Sequence, residues 1–191
     1  MRKITSKLII ITILMFSGCT GSRVSTIVGC NFDASTNQTK FIELPYGSVL
    51  IPGKWEKSGY NSISGQSFLT NPDSVRIAIA LNQYDKYEFN TDGSKRGYSF
   101  ALRFYEWDSG FFADTYGIKS RIIESDSTHN YILYQLYGMA KGAEYDALFL
   151  IGENNGIVKN LSVMTTNKWT EERKIGFLKE IYLNEQDTDS P

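Results

Sequence analysis

The chain has 191 residues, a formal net charge of −1, 14% aromatic residues and 21% charged ones. That length suits one domain with a proper core, and the charge balance excludes the basic stripe of a nucleic-acid binder. Twelve Tyr and eleven Phe point to a sheet-rich chain.

Residues 1–7, MRKITSK, carry Arg2, Lys3 and Lys7 and no acid, and from Leu8 to Phe16 every residue except Thr12 is apolar. The run is roughly half of the ~20 residues a bilayer-spanning helix needs, so it reads as a secretory signal and not a permanent span. It stops at Phe16-Ser17-Gly18-Cys19, which resembles the lipobox of bacterial lipoproteins, with Phe16 where Leu is usual. On that reading residues 1–18 are a signal peptide that is removed, and Cys19 becomes a lipidated, palmitate-carrying N-terminus. The mature chain then holds 17 basic and 21 acidic residues. The alternative is an ordinary signal with an incidental cysteine.

Ile27-Val28-Gly29-Cys30 offers a rival site, but Arg23 and several polar residues separate it from the apolar run. With Cys19 lipidated, Cys30 lacks an intramolecular partner and is expected as an idle thiol in a tether, an intermolecular disulfide being the other reading. Thr20 stands where an Asp would resemble the inner-membrane retention signal. The expected location is therefore the cell envelope, at the outer membrane if the host has one.

Residues 19–39 are expected as the lipidated end and a flexible tether, rich in Ser, Thr, Gly and Asn. A single globular domain is expected over 40–184, with a polar tail over 185–191. FIEL and SVLI flank Pro45-Tyr46-Gly47, so 41–51 reads as a hairpin or bent edge strand, broken by Pro52-Gly53-Lys54-Trp55. SFLT and VRIAIAL follow. In the second, Val75, Ile77, Ile79 and Leu81 alternate with Arg76, Ala78 and Ala80, and the small face suits a helix laid against it.

From about Ser94 to Ala113 the period becomes helical, with Phe100, Phe104, Trp107 and Phe111 on one face. IKSRIIES, YILYQLYGM, EYDALFLIG and GIVKNLSVMT then read as four strands. Their short loops permit antiparallel neighbours and forbid parallel crossovers, which makes a meander. A second helix, about Thr170–Leu183, starts with a capping Thr and two acids in its first turn. The fold class expected is α+β, a central mainly antiparallel sheet flanked by helices.

This element order, with Ile51-Pro52, Trp55 three residues on and a terminal KIGFLKEI, resembles the PsbP-like (DcrB-like) lipoprotein family of bacteria. The resemblance implies an α/β/α sandwich over residues 41–183 and a protein that works by docking onto partners. It carries over no binding residue, and Trp55, the matched position, is expected to be structural.

Catalytic chemistry is not expected. His129, the sole histidine, sits in a polar turn, and no Gly-x-Ser-x-Gly elbow supports a serine nucleophile. One histidine and one spare cysteine cannot make a common zinc site, and Asn90–Ser94 lacks the alternating acids of a calcium loop. Glu144 with Asp146, or Glu106 with Asp108, could be nominated for glycoside hydrolysis; only the first pair would share a strand face. No cofactor or metal is expected.

The stripe from Phe100 to Phe111 is expected as core. The interaction candidates are aromatics in turns, Tyr46, Tyr60, Tyr84, Tyr87 and Tyr116. Three functions follow in order: a non-enzymatic, lipid-anchored accessory protein that docks onto a protein partner in the envelope; a small-ligand or glycan-binding lipoprotein; an envelope hydrolase. A flat apolar patch would favour the first, and a concave aromatic cleft the second.

Overall fold

The computed structural model describes residues 27–184. Cys19, the signal segment and the tail lie outside the described residues. None of the described helices is long and apolar enough to cross a membrane.

Two antiparallel sheets share one core. The smaller holds β1 (Ile27–Asp33), β2 (Gln38–Leu44) and β3 (Gly47–Pro52), in that order. The larger holds β4 (Glu56–Asn61), β5 (Gln66–Thr70), β6 (Arg76–Gln83), β7 (Lys119–Asp126), β8 (Tyr131–Ala140), β9 (Ala143–Asn154) and β10 (Ile157–Val163). Its spatial order is β4-β5-β6-β10-β9-β8-β7, with every pair antiparallel. The meander is therefore present as the sequence pattern predicts, and β10 closes it onto β6.

Helix α1 (Gly97–Tyr116) lies on one face of the large sheet, over β7, β8 and β9. There Phe100, Ala101 and Phe104 bury against Ile132, Tyr134, Leu136, Ala147, Phe149 and Ile151. Helix α2 (Glu171–Leu183) lies on the other face, against β9, β10 and β3. It shares that layer with the small sheet, and Phe41, Ile51, Leu133, Leu150, Leu161 and Leu178 meet in one cluster. The chain is an α+β protein with its antiparallel sheet flanked by helices. The Thr170 hydroxyl caps α2 by accepting from the Arg173 N–H at 3.3 Å.

Three readings are corrected. The tether does not reach residue 39, because Ile27–Asp33 is a strand paired with β2 from Ile27 opposite Leu44 to Asp33 opposite Gln38. Its stability comes from a partner strand and not from its own periodicity. Cys30 is accordingly not idle in a tether: half-buried, it packs on the core with Sγ 3.6 Å from the Trp55 carbonyl oxygen. Finally, α1 does not cover the small face of β6. The floor beneath its large rings is β8 and β9, while Ala78 and Ala80 are buried beside Asn160 and Ser162 of β10.

Buried polar side chains join the two sheets. Thr39 Oγ1 donates to the Gly53 carbonyl at 2.7 Å and accepts from the Trp55 N–H at 3.0 Å. Glu43 accepts from the Leu81 N–H at 2.9 Å, a donor on β6 that β5 does not pair. Burial pushes the Glu43 carboxyl above the usual carboxylate range.

Candidate functional site

An open cleft of about 600 Å³ lies where the end of β3, the β5–β6 loop and α2 converge. That volume lies within the range of ligand sites. Its floor follows from three aromatics far apart in sequence. Trp55 sits edge-on to Trp169 at 6.1 Å between ring centres, and Phe177 lies 5.4 Å from the first and 4.9 Å from the second. Trp55 is 3% exposed and donates from Nε1 to the Pro52 carbonyl at 2.8 Å, and Trp169 is 7% exposed. The Arg173 guanidinium covers the Trp169 ring at 4.5 Å.

The opposite wall is Asn71-Pro72-Asp73, whose turn is closed by the Asn71 side chain accepting from the Val75 N–H at 2.8 Å. Among the described residues Arg173, Asp73 and Glu180 form no ion pair, so both signs of charge are free at the rim. Proline rings, two asparagine amides and unpaired charges can hold polar and apolar groups together. Concavity favours a ligand, but the tryptophan rings are covered and offer no open face for a sugar to stack on.

A second constellation lies beneath α1. The Tyr134 hydroxyl donates to Asp108 Oδ2 at 2.7 Å, and Tyr105 packs edge-on to Tyr134 at 5.0 Å. Burial, opposed only by the Tyr134 hydrogen bond, pushes the Asp108 carboxyl up to about 6. Burial, with Asp108 nearby, also raises the phenols of Tyr134 and Tyr145. A carboxyl whose folded value is raised favours folding while protonated, and that stability is lost as pH rises from about 4 through 6. Asp108→Asn should therefore gain about 2 kcal/mol over the wild type at pH 7.5 and nothing at pH 4. Urea melts at the two pH values measure this, and an equal gain at both would contradict it.

The tyrosines nominated from turns are not brought together. Tyr46 is half-buried against the small sheet. Tyr84 lies under the Arg96 guanidinium at 4.0 Å. Tyr87 is part of the packing around Phe89, Phe100, Phe104 and Trp107, and burial raises its phenol. Tyr60 is exposed on β4, and Tyr116 is exposed at the end of α1 beside Phe111 and Phe112. Of the α1 stripe, Phe100 and Phe104 are core, Trp107 is half-buried and Phe111 is exposed.

His129 lies in its exposed turn with Nδ1 2.7 Å from Asp126 Oδ2. Glu144 is exposed, and Asp146 is taken up by Gln135 at 2.5 Å and Lys174 at 3.3 Å. Asn90, in the calcium-like stretch, is buried; its side chain donates to the Tyr84 and Lys95 carbonyls and accepts from the Lys95 N–H. Among the described residues no three His, Cys, Asp or Glu side chains are grouped to hold a metal.

No protein-family model matches the chain, and no curated protein matches it. Among solved structures, the solution structure of cyanobacterial PsbP (CyanoP) from Synechocystis sp. PCC 6803 is similar to it at 12% identity and a TM-score of 0.42, covering 86% of this chain and 94% of that one. At that score the likeness carries no argument about site or activity.

Proposed function

We propose that the chain is a lipid-anchored, non-enzymatic accessory protein of the bacterial envelope that docks onto a protein partner through the cleft between β3, the β5–β6 loop and α2. The cleft is the observation that carries this reading. Its rim mixes proline, amide and unpaired charge of both signs, a surface suited to polypeptide, while its covered tryptophans do not suit a sugar. Its position supports the same reading. Asn37 and Pro52 stand at one end of the small sheet and Ile27 at the other, roughly 20 Å along the strands, so the cleft opens at the end away from the tether. The glycan-binding reading is favoured by concavity alone.

Asp73→Arg combined with Arg173→Glu should reduce capture of the envelope partner at least about tenfold while unfolding stability stays within about 0.5–1 kcal/mol. Quantitative pull-down from solubilised envelope, alongside thermal melts, measures both; undiminished capture would reject the cleft as the docking place.

The anchor is tested separately. Radiolabelled palmitate should enter the wild type, fractionate with the outer membrane where the host has one, and be absent from Cys19→Ala. Label that survives in Cys19→Ala and vanishes in Cys30→Ala would move the mature start to Cys30.

A further inference from the structure

Four of the exposed large apolar side chains, Ile27, Leu44, Tyr60 and Ile63, stand at one corner of the domain, the corner at which the described chain begins. Ile27, 63% exposed, stands opposite Leu44, 46% exposed, at the end of the β1–β2 pair. The chain then turns through Pro45 and Tyr46, with the Tyr46 N–H donating to the Glu43 carbonyl at 2.8 Å. The Glu43 side chain ties this turn to Leu81, near the end of β6. At that same end of the large sheet the Asn61–Gln66 turn joins β4 to β5 and holds Ile63, 98% exposed. Beside it Tyr60 is exposed, with the Lys57 ammonium 5.5 Å from its ring centre.

Neither turn, residues 44–47 or 61–66, contains a charged side chain. An isoleucine almost wholly in water contributes nothing to the core. Two uncharged turns with apolar tips, and a tyrosine beside a lysine, match what lies at a lipid interface: apolar groups can enter without desolvating a charge, and the amphipathic pair can stay at the headgroups.

The chain before Ile27 says what covers the corner. Seven residues, 20–26, separate it from Cys19, so a lipidated Cys19 holds Ile27 within about 28 Å of its acyl chains even when fully extended. We infer that the corner made by Ile27, the Leu44–Gly47 turn and the Asn61–Gln66 turn rests on the phospholipid bilayer to which the chain is tethered, an inference that rests on the lipid-anchor reading of Cys19. The tether brings this corner, before any other part of the domain, to the membrane. Contact there sets the domain's orientation, with the cleft directed away from the lipid.

The test uses the full lipidated protein in phosphatidylcholine vesicles, with and without brominated acyl chains that quench tryptophan. Ile63→Trp and Leu44→Trp place reporters at the corner, and Met139→Trp places one at an exposed site at the opposite end of the large sheet. Signal from the three native tryptophans is subtracted using the wild type. With the corner at the usual interfacial depth of ~5–10 Å, the Ile63→Trp reporter should lose about half its emission and the Met139→Trp reporter none. Unchanged Ile63→Trp emission in protein that floats with the vesicles overturns the inference and leaves the anchor standing. Equal quenching of Met139→Trp also overturns it. Protein that does not float with the vesicles overturns the anchor and the inference together.

Discussion

Phe104→Ala should lower the unfolding free energy by about 3–5 kcal/mol, a large part of the ~5–15 kcal/mol typical of a domain. Phe104 is buried on α1 and shares ring contacts with Tyr87, Phe89, Phe100 and Trp107 at 5.4, 6.2, 6.3 and 5.5 Å. Truncation removes both the transferred surface and the partners around it, and rings held in mutual edge contact cannot collapse cheaply into the gap. Partner capture should fall only as the folded fraction falls. A melting curve that overlays the wild type would reject the core assignment and make Phe100 and Trp107, with the exposed Phe111, candidates for a binding face.

The second large effect is expected at Glu153, near the end of β9. Its carboxylate is buried and accepts from the Gly97 N–H at the start of α1, from the Gly156 N–H at 2.7 Å, and from Arg96 at 3.2–3.3 Å. One side chain thus serves the first turn of a helix and the tight turn into β10, where a negative charge also complements the helix dipole. Glu153→Ala should cost about 3 kcal/mol, because two backbone donors lose a charged acceptor inside the protein. Glu153→Gln should recover little, since one end of an amide presents a donor to donors. Arg96→Ala should cost under about 1 kcal/mol, its guanidinium being half in water. Denaturant titration of the three variants checks the order, and an Arg96→Ala loss as large as that of Glu153→Ala would place the effect in the ion pair instead.

The parts of the fold that were legible in the sequence are those whose residues report their own surroundings. Phe100 and Phe104 sit one helical turn apart, and the alternation of Ile77, Ile79 and Leu81 marks a strand with one large face. The short joints of the meander leave antiparallel pairing as the available geometry. Strand β1 was illegible because IVGCNFD has little periodicity and is held by hydrogen bonds to β2. β4, EKSGYN, is an exposed edge strand whose register shifts between Lys57 and Gly59, so it has no buried face to advertise.

The candidate site was less legible still. Trp55 stood out in sequence, but its neighbours Trp169 and Phe177 come from the far end of the chain, and nothing local to any of the three announces a cleft. Asn90 and Glu43 look like ordinary turn and edge residues, and their burial becomes evident only once the segments they bridge are in place. Tyr87 shows the converse: a turn aromatic that resembles a contact residue on paper is occupied by the packing around α1.

The pairing of β6 with β10 also has a kinetic side. Its contacts run from Gln83 opposite Ile157 to Ile77 opposite Val163, so the partners are 74 to 86 residues apart in the chain. A polypeptide made from its N-terminus completes β4, β5 and β6 long before their neighbour exists. Until β10 and α2 arrive, one edge of β6 is unpaired, and the faces of Ile77, Ile79 and Leu81 lack their partners Leu161, Val163 and Leu178. Closing so long a loop is slow compared with forming the local hairpins, and the waiting intermediate carries an open edge and bare apolar surface, the two features that drive aggregation. Residues 157–183 complete the sheet as well as extending it, and a nascent chain that lacks them depends on being held apart from its own copies.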